Sequence, residues 1–267
     1  MNYKNLFYAA VLCTTGVLSS CDTVDEADRF IYVKPDAVGR NVLIEDFTGQ
    51  RCVNCPNATL EIAKLHELYG DTVIGVGIHS GPFAKTTRGK PYSLYTETGD
   101  EYFNYWKVES QPKGVIDRTG TSDYTSWTTI VRDELSKTAP VSLWLYSEYN
   151  KATHKATFTV TATGIDGDSK GKLQLWLIED GIVDFQYMPD GTTNREYVHN
   201  HVFRTAVNGT WGTDFTIKEG ETRTEFFEYQ LENEEWVPEN LSLVAFVYNS
   251  NGVLQVSKCI FLSTIVD

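Results

Sequence analysis

The first half of the chain alternates between strand-like and helix-like patterns of apolar residues. Residues 42–47 form an apolar run that contains two acids, and residues 72–79 form a second apolar run. Between them, residues 57–69 carry apolar side chains three and four positions apart, which predicts an amphipathic helix. Gly70 then stands where a C-cap glycine ends a helix. Two strands that flank a helix predict a βαβ unit with parallel strands and a right-handed crossover.

The pattern changes along the rest of the chain. Residues 81–107 are polar and aromatic with a weakly helical middle, and we interpret them as an excursion from the sheet. A strand is predicted at 111–117 and a helix at 127–137. Beyond that helix, alternating Val, Thr, Tyr, Phe and Trp residues are separated by turn signals, which is typical of an antiparallel β-sandwich. The predicted fold class is therefore α/β plus all-β, with an α/β domain at 41–139 and an Ig-like sandwich at 140–267.

The N-terminal segment predicts export. Its apolar run from Leu6 to Leu18 is thirteen residues long, which is too short to span a bilayer and suits the h-region of a signal peptide. The run leads into the sequence LSSC, which resembles the lipobox of bacterial lipoproteins, where the cysteine is acylated and becomes the first residue. We predict a signal peptide at residues 1–20 and lipidation at Cys21. The alternatives are an ordinary cleaved signal and a short buried helix.

Residues 21–40 are predicted to be an acidic tether between the lipid and the fold. Four of the first eight residues of this segment are acidic, namely Asp22, Asp25, Glu26 and Asp28. This run resembles the acidic signal that sends Bacteroidetes lipoproteins to the cell surface, and the alternative is a solvated linker. The expected location is the outer membrane, through a lipid anchor, with exposure at the cell surface implied by the acidic run.

The charge balance excludes one class of partner. The chain has 23 basic and 36 acidic residues and a formal net charge of −13. Because so acidic a protein repels phosphate backbones, non-specific nucleic-acid binding is excluded as a main role. Five cysteines in 267 residues are too few for a disulfide scaffold.

The pair Cys52 and Cys55 lies where a predicted strand turns into a predicted helix. Unpaired N–H groups and the positive end of the helix dipole favour a thiolate there, and Arg51 adds positive charge. Such a thiolate attacks a disulfide, and the second thiol resolves the mixed disulfide. A structural disulfide is the main alternative. A zinc site would need two more ligands, and no second Cys or His pair lies at zinc spacing.

The run VLIEDFTGQRCVNC at 42–55 resembles the active-site segment of thioredoxin-like proteins. The resemblance implies a thioredoxin-like domain in which Cys52 is the nucleophile and Cys55 the resolving thiol. It also implies that Asp46 is a buried acid that assists proton transfer, and that Pro112 is a cis-proline that lies against the disulfide and shapes the substrate groove. An exposed acid at a strand end and a simple turn proline are the alternatives for these two positions.

The chain departs from the thioredoxin pattern at several positions, including Val53 and Asn54, which replace Gly-Pro between the cysteines. Arg51 replaces the aromatic residue that normally precedes the first cysteine, and Gln111 is unusual before the proline. We assign both, with Pro112, to the substrate groove. More narrowly, EDFTGQRCVNCP together with residues 197–204 is similar to the outer membrane protein 28 family of Bacteroidetes lipoproteins, which joins a thioredoxin-like domain to a β-sandwich.

The predicted function is thiol–disulfide exchange on the thiols or disulfides of envelope proteins, with no cofactor. The alternative is a non-enzymatic surface lipoprotein, an adhesin or an assembly component, in which the cysteine pair is a structural disulfide. His199 and His201 would share one face of a strand and could bind a metal, but a packing or turn role is favoured and no metal is predicted. Cys259 is predicted to be a small apolar residue of the core.

Overall fold

The computed structural model describes residues 32–231 and 233–264, with side chains described as far as residue 262. The predicted signal peptide, the lipidation site Cys21 and the acidic run that follows it lie outside the described residues. From Lys34 onward the described chain forms one compact unit.

The first half of the chain contains three helices and six strands in the described residues. The predicted 57–69 helix begins two residues earlier, and the excursion at 81–107 contains a helix, as its pattern indicates. The elements are β1 (Val38–Gly39), β2 (Val42–Thr48), α1 (Cys55–Tyr69), β3 (Val73–His79), α2 (Glu97–Tyr105), β4 (Lys113–Ile116), β5 (Thr121–Ser122), α3 (Trp127–Leu135) and β6 (Thr138–Ala139).

The second half is built of strands joined by turns, as the alternating pattern predicts. Within its described residues the only helical segment is one 3₁₀ turn at Pro238–Asn240. The strands are β7 (Val141–Asn150), β8 (Lys155–Gly164), β9 (Ser169–Glu179), β10 (Ile182–Tyr187), β11 (Thr193–His199), β12 (Val202–Ala206), β13 (Thr213–Ile217), β14 (Thr222–Gln230), β15 (Leu241–Asn249), β16 (Gly252–Ile260) and β17 (Leu262–Thr264). The molecule is therefore a mixed α/β, strand-rich protein.

One sheet runs through both halves of the chain. Its strand order is β16-β15-β9-β12-β3-β2-β4-β5, and β13 also pairs with β9. Strands β2 and β3 are parallel and flank α1, which confirms the predicted βαβ unit. Strand β12 pairs in parallel with β3 where Val202 lies opposite Gly77, and the Gly77 N–H donates to the carbonyl of His201 at 2.8 Å. The two predicted domains are thus joined through a shared sheet.

A second sheet, in the order β14-β8-β7-β17, covers the part of the large sheet that comes from the second half. The two sheets bury a core between them that includes Phe158, Leu175 and Phe215. Strand β8 of the second sheet alternates buried apolar residues with more exposed polar ones, as in a sandwich. Strands β9 and β15 of the large sheet are instead buried on both faces, because their Trp176 and Phe246 pack into a second core on the other side. Cys259 is a free, partly buried thiol that packs against this core.

Strand β2 separates two further cores. Val42 and Ile44 pack against α1 and α3, whereas Leu43 and Phe47 belong to the aromatic core on the opposite face. Because side chains alternate along a strand, the neighbours Glu45 and Asp46 point to opposite faces of the sheet.

Candidate functional site

The Cys52–Cys55 pair forms a disulfide in the loop between β2 and α1, and the two Cα atoms lie 5.4 Å apart. Helix α1 begins at Cys55, so Cys52 lies three residues before the first helical residue rather than at the helix terminus itself. Gly49 shapes the loop because a Cβ there would lie 2.5 Å from the backbone of Phe83. The Cys52 N–H then donates to the Gly49 carbonyl at 2.9 Å.

Both cysteines are shielded from solvent by a hairpin of the second half. Cys52 is 2% exposed and Cys55 is 1% exposed. Strands β10 and β11 form this hairpin, which we call the 182–199 hairpin. The Gln186 side chain donates from Nε2 to the carbonyl of Cys52 at 2.9 Å, and the Tyr187 N–H donates to the Gln50 carbonyl at 2.9 Å. The 182–199 hairpin is therefore bound directly to the loop that carries the disulfide.

Asp46 lies near the end of β2, the strand that leads into the cysteine loop. It is 2% exposed, and its Oδ1 has no hydrogen-bond partner among the described residues. Burial raises the pKa of Asp46 to about 8, because the charged carboxylate is disfavoured away from water. The carboxyl group borders a cavity of about 220 Å³ that is also lined by Cys55, Pro56 and Tyr197. Of the two alternatives for this acid, the structure shows the buried one.

Two histidines border the same cavity. The rings of His79 and His199 meet edge to face with centroids 5.2 Å apart. Burial lowers the pKa of His199 to about 4, and burial, with the nearby His199 and Arg204, lowers the pKa of His79 well below its usual range. Both rings are therefore neutral at neutral pH. His79 Nδ1 and His199 Nε2 have no hydrogen-bond partner within the described part of the chain.

The cavity thus brings together groups that can hold or pass a proton next to Cys55. Asp46 is half-protonated near pH 8, and the neutral imidazoles each offer a free ring nitrogen. A proton released from a Cys55 thiol has an acceptor in Asp46 without leaving the protein.

The three residues assigned to the substrate groove lie at the edges of the same loop. The Gln111–Pro112 peptide bond is cis, and the register of β2 with β4 brings Pro112 beside Thr48. Gln111 is buried, and its Nε2 donates to the carbonyls of Thr48 at 2.7 Å and Ser80 at 3.1 Å. The Arg51 Nη1 donates to the Lys85 carbonyl at 3.0 Å. The side chains of Gln111 and Arg51 therefore hold the neighbouring backbone in place through these hydrogen bonds to carbonyl groups.

Sequence reasoning left out the residues that the second half contributes. Gln186, Tyr197 and His199 were interpreted as parts of a separate sandwich, yet they cover or border the disulfide site. One signal in the sequence links the two regions. Residues 197–204 and the cysteine motif both resemble the outer membrane protein 28 family. Strand β11 ends at His199, so the predicted shared strand face does not extend to His201, which contacts Asp180 at 2.9 Å.

The described residues contain neither a cluster of metal ligands nor a helix suited to cross a membrane. No group of three His, Cys, Asp or Glu side chains in residues 32–231 and 233–264 is arranged to hold a metal ion. Within the same residues, no helix combines the length and the apolar character that crossing a membrane needs.

Comparison with protein families identifies this architecture. The sequence profile described as Outer membrane protein Omp28 matches residues 99–262, which is more than half of the chain. The chain belongs to the Omp28 family. Its location is accordingly the outer membrane. A comparison with curated protein sequences finds no match.

Two distant proteins of known structure, HBP35 and AGR_C_4864, share the fold of this chain. HBP35 of Porphyromonas gingivalis is 16% identical, with a TM-score of 0.67, and the match covers 87% of this chain and 81% of that one. Protein AGR_C_4864 from Agrobacterium tumefaciens is 14% identical, with a TM-score of 0.50 over 87% of this chain and 99% of that one. A domain of the outer membrane lipoprotein Omp28 from Porphyromonas gingivalis is 28% identical over 48% of this chain and 92% of that one, with a TM-score of 0.35.

Proposed function

We propose that this Omp28-family protein carries out thiol–disulfide exchange on envelope proteins through Cys52 and Cys55. The observation that carries the proposal is the buried carboxyl group of Asp46 in the cavity that Cys55 lines, whose Oδ1 has no hydrogen-bond partner among the described residues. A disulfide that only staples a loop has no need of such a group, and burying it without a partner is unfavourable. A proton acceptor beside the resolving thiol is what the exchange reaction requires.

In the reductive direction, the Cys52 thiolate attacks one sulfur of a substrate disulfide. A bond forms between Cys52 Sγ and that sulfur, and the other substrate sulfur leaves as a thiolate that takes a proton from water. Cys55 then gives its proton to the Asp46 carboxylate and attacks Cys52 Sγ. The mixed disulfide breaks, the second substrate sulfur leaves as a thiolate that takes the proton from Asp46, and the protein holds the Cys52–Cys55 disulfide. The substrate gains two electrons and two protons, and a small dithiol returns the protein to its reduced form.

Access to Cys52 depends on the 182–199 hairpin. Substrate must displace the Gln186 side chain from the carbonyl of Cys52 before its own disulfide approaches. Arg51, Gln111 and Pro112 would then border the opened groove, with Arg51 as its positive charge. The hairpin would act as a cover that restricts exchange to partners able to displace it.

The finer architecture and attachment belong to the same proposal. Residues 41–139 would be a thioredoxin-like domain, in keeping with parallel β2 and β3 around α1 and antiparallel β4 beside β2. Residues 140–267 would be an Ig-like sandwich that binds or spaces partners. Acyl chains on Cys21 would hold the protein in the outer membrane, since several chains together make a stable anchor. The acidic run after Cys21 would direct it to the cell surface.

The burial of both cysteines favours a second candidate. With Cys52 2% and Cys55 1% exposed, the disulfide is as inaccessible as a structural one. In that case the protein is a non-enzymatic surface lipoprotein, an adhesin or an assembly component.

Reduction of insulin by dithiothreitol separates the two candidates. The full-length protein in detergent is expected to accelerate the reaction, and Cys52→Ser is expected to abolish the acceleration while the fold persists. Cys259→Ser serves as the matched control, because that thiol lies in the sandwich core and should leave the rate unchanged. No acceleration by the native protein, or acceleration that survives Cys52→Ser, contradicts the exchange proposal.

A further inference from the structure

A second cleft, of about 1090 Å³, lies away from the disulfide and shares no lining residue with the Cys55 cavity. The end of α2, the beginning of β9 and the end of β15 form its rim, and Arg118 also lines it. Both halves of the chain therefore contribute to this cleft, which is where ligand sites are commonly found.

Arg118 is a buried cation with unused hydrogen-bond donors. Its side chain is 2% exposed, and its Nε donates to Glu45 Oε1 at 2.9 Å. Neither Nη1 nor Nη2 has a hydrogen-bond partner among the described residues. A guanidinium in this state retains two donor groups in the fork arrangement that matches one planar carboxylate.

The walls of the cleft are aromatic. Tyr248 lies over the guanidinium, with its ring centroid 4.2 Å from Cζ of Arg118. Tyr105 and Trp211 contact each other with centroids 4.5 Å apart, and Trp106 packs edge to face on Tyr105. Tyr105 is 60% exposed although it is a large ring. A flat apolar body could therefore stack in the cleft without disturbing the core below it.

The geometry points to a binding site for an aromatic carboxylic acid, with its carboxylate on the Arg118 Nη atoms and its ring against Tyr105 and Trp211. This assignment is independent of the exchange chemistry proposed for Cys52. The guanidinium is covered by five aromatic rings, of which only Trp211 and Tyr248 line the cleft. The acid therefore reaches the Nη atoms only where these two rings move, which breaks the hydrogen bond from the Tyr248 hydroxyl to the Trp211 carbonyl. Binding would supply the partners that these donors lack.

The charges of the cleft favour a carboxylate over a phosphate. Lys172 at the rim is paired with Asp214 at 2.7 Å, and Lys170 beside it is exposed. Glu101, which accepts the Trp211 indole N–H at 2.7 Å, places a negative charge on the opposite rim. Because Glu45 pairs with Arg118 and Asp214 with Lys172, the cleft carries little net positive charge. A carboxylate with one negative charge therefore meets less repulsion there than a phosphate monoester with nearly two.

Calorimetric titration of the full chain with 1-naphthylacetate and its neutral analogue 1-naphthylacetamide tests the assignment. The acid is expected to bind at least about tenfold more tightly than the amide, as a charge-assisted bidentate contact implies. Tyr105→Ala removes an exposed ring and should weaken acid binding about threefold or more with the fold intact. The double variant Glu45→Leu with Arg118→Met removes the cation without leaving an unpaired acid, and should abolish the preference for the acid.

Lys64→Gln is the matched control, because that lysine is an exposed cation on α1, outside the cleft, and its loss should leave the affinity unchanged. No heat from the acid at millimolar concentration, or equal affinity for acid and amide, overturns the assignment. Tighter binding of 1-naphthyl phosphate than of the carboxylate overturns the choice of ligand class. Unchanged binding by Tyr105→Ala contradicts the location.

Discussion

Glu45 and Asp46, two neighbouring acids of β2, lie in opposite electrostatic surroundings. Glu45 is fully buried on the aromatic face of the sheet, where the Arg118 guanidinium neutralises it. Asp46 is buried on the helical face beside Cys55 and has no cation or donor on its Oδ1 among the described residues. Burial raises the pKa of both acids, but the guanidinium opposes that shift at Glu45 alone.

The difference shows how a single strand supplies one structural acid and one reactive acid. A paired carboxylate stays charged, holds its partner and contributes to a fixed core. An unpaired one is destabilising, and its pKa moves into the range in which it can exchange protons at physiological pH. The alternation of side chains across the sheet is sufficient to separate the two roles.

The largest effect is expected at the ion pair of Glu45 and Arg118. Arg118→Met leaves Glu45 as an uncompensated buried charge and should lower the free energy of unfolding by about 3–5 kcal/mol. Urea unfolding monitored by circular dichroism measures the loss. Adding Glu45→Leu to this variant should recover much of it, because two apolar side chains then replace the pair. A double variant as unstable as the single one would contradict the ion-pair account.

Asp46→Asn, by contrast, should raise the free energy of unfolding, and this gain should grow as the pH rises. The folded-state pKa of about 8 lies above the ordinary value of 3.8, so ionisation destabilises the fold progressively between about pH 4 and pH 8. The difference in the free energy of unfolding between the variant and the native protein should therefore grow in favour of the variant by on the order of 3 kcal/mol from pH 5 to pH 8. Unfolding at both pH values checks this, with exposed Asp71→Asn as the control.

The same variant should slow exchange. Insulin reduction by the native protein should rise with pH through an inflection near the Asp46 pKa of about 8, as carboxylate becomes available to accept the Cys55 proton. Asp46→Asn should lower the rate and remove that inflection. A native inflection that persists in the variant would assign it to another group.

Removal of the disulfide separates activity from stability. The double variant Cys52→Ser with Cys55→Ser opens a loop of only four residues, so the loss in the free energy of unfolding should be about 2 kcal/mol. Exchange activity should vanish entirely. If instead the double variant does not fold and the native protein shows no exchange activity, the disulfide has a structural role only.

The smallest effect is expected at the 182–199 hairpin. Gln186→Leu removes the hydrogen bonds to the carbonyls of Cys52 and Gly49 and should lower stability by about 1 kcal/mol. The disulfide should nevertheless be reduced faster by dithiothreitol, because the 182–199 hairpin opens more readily. Gln230→Leu, on an exposed edge of the sandwich, is the control. An unchanged reduction rate would mean that the hairpin does not limit access.

The local pattern sufficed for the βαβ unit, for the position of the cysteine pair and for the strand-rich second half, because each depends on periodicity within about fifteen residues. The Gln186 contact could not be predicted in this way. It joins positions 134 residues apart, and it depends on β12 pairing with β3, which no local alternation encodes. The cavity that Asp46 and Cys55 share is likewise lined by residues of the second half, Gln186, Tyr197 and His199, which no pattern in the first half indicates.

The reduction potential of the Cys52–Cys55 pair tests the account most directly. It is measured in the full-length protein by equilibration against glutathione and dithiothreitol. We expect a value between roughly −270 and −120 mV, the span of exchangeable oxidoreductase disulfides. A value below about −300 mV would mark a disulfide that resists reduction and would contradict the exchange function.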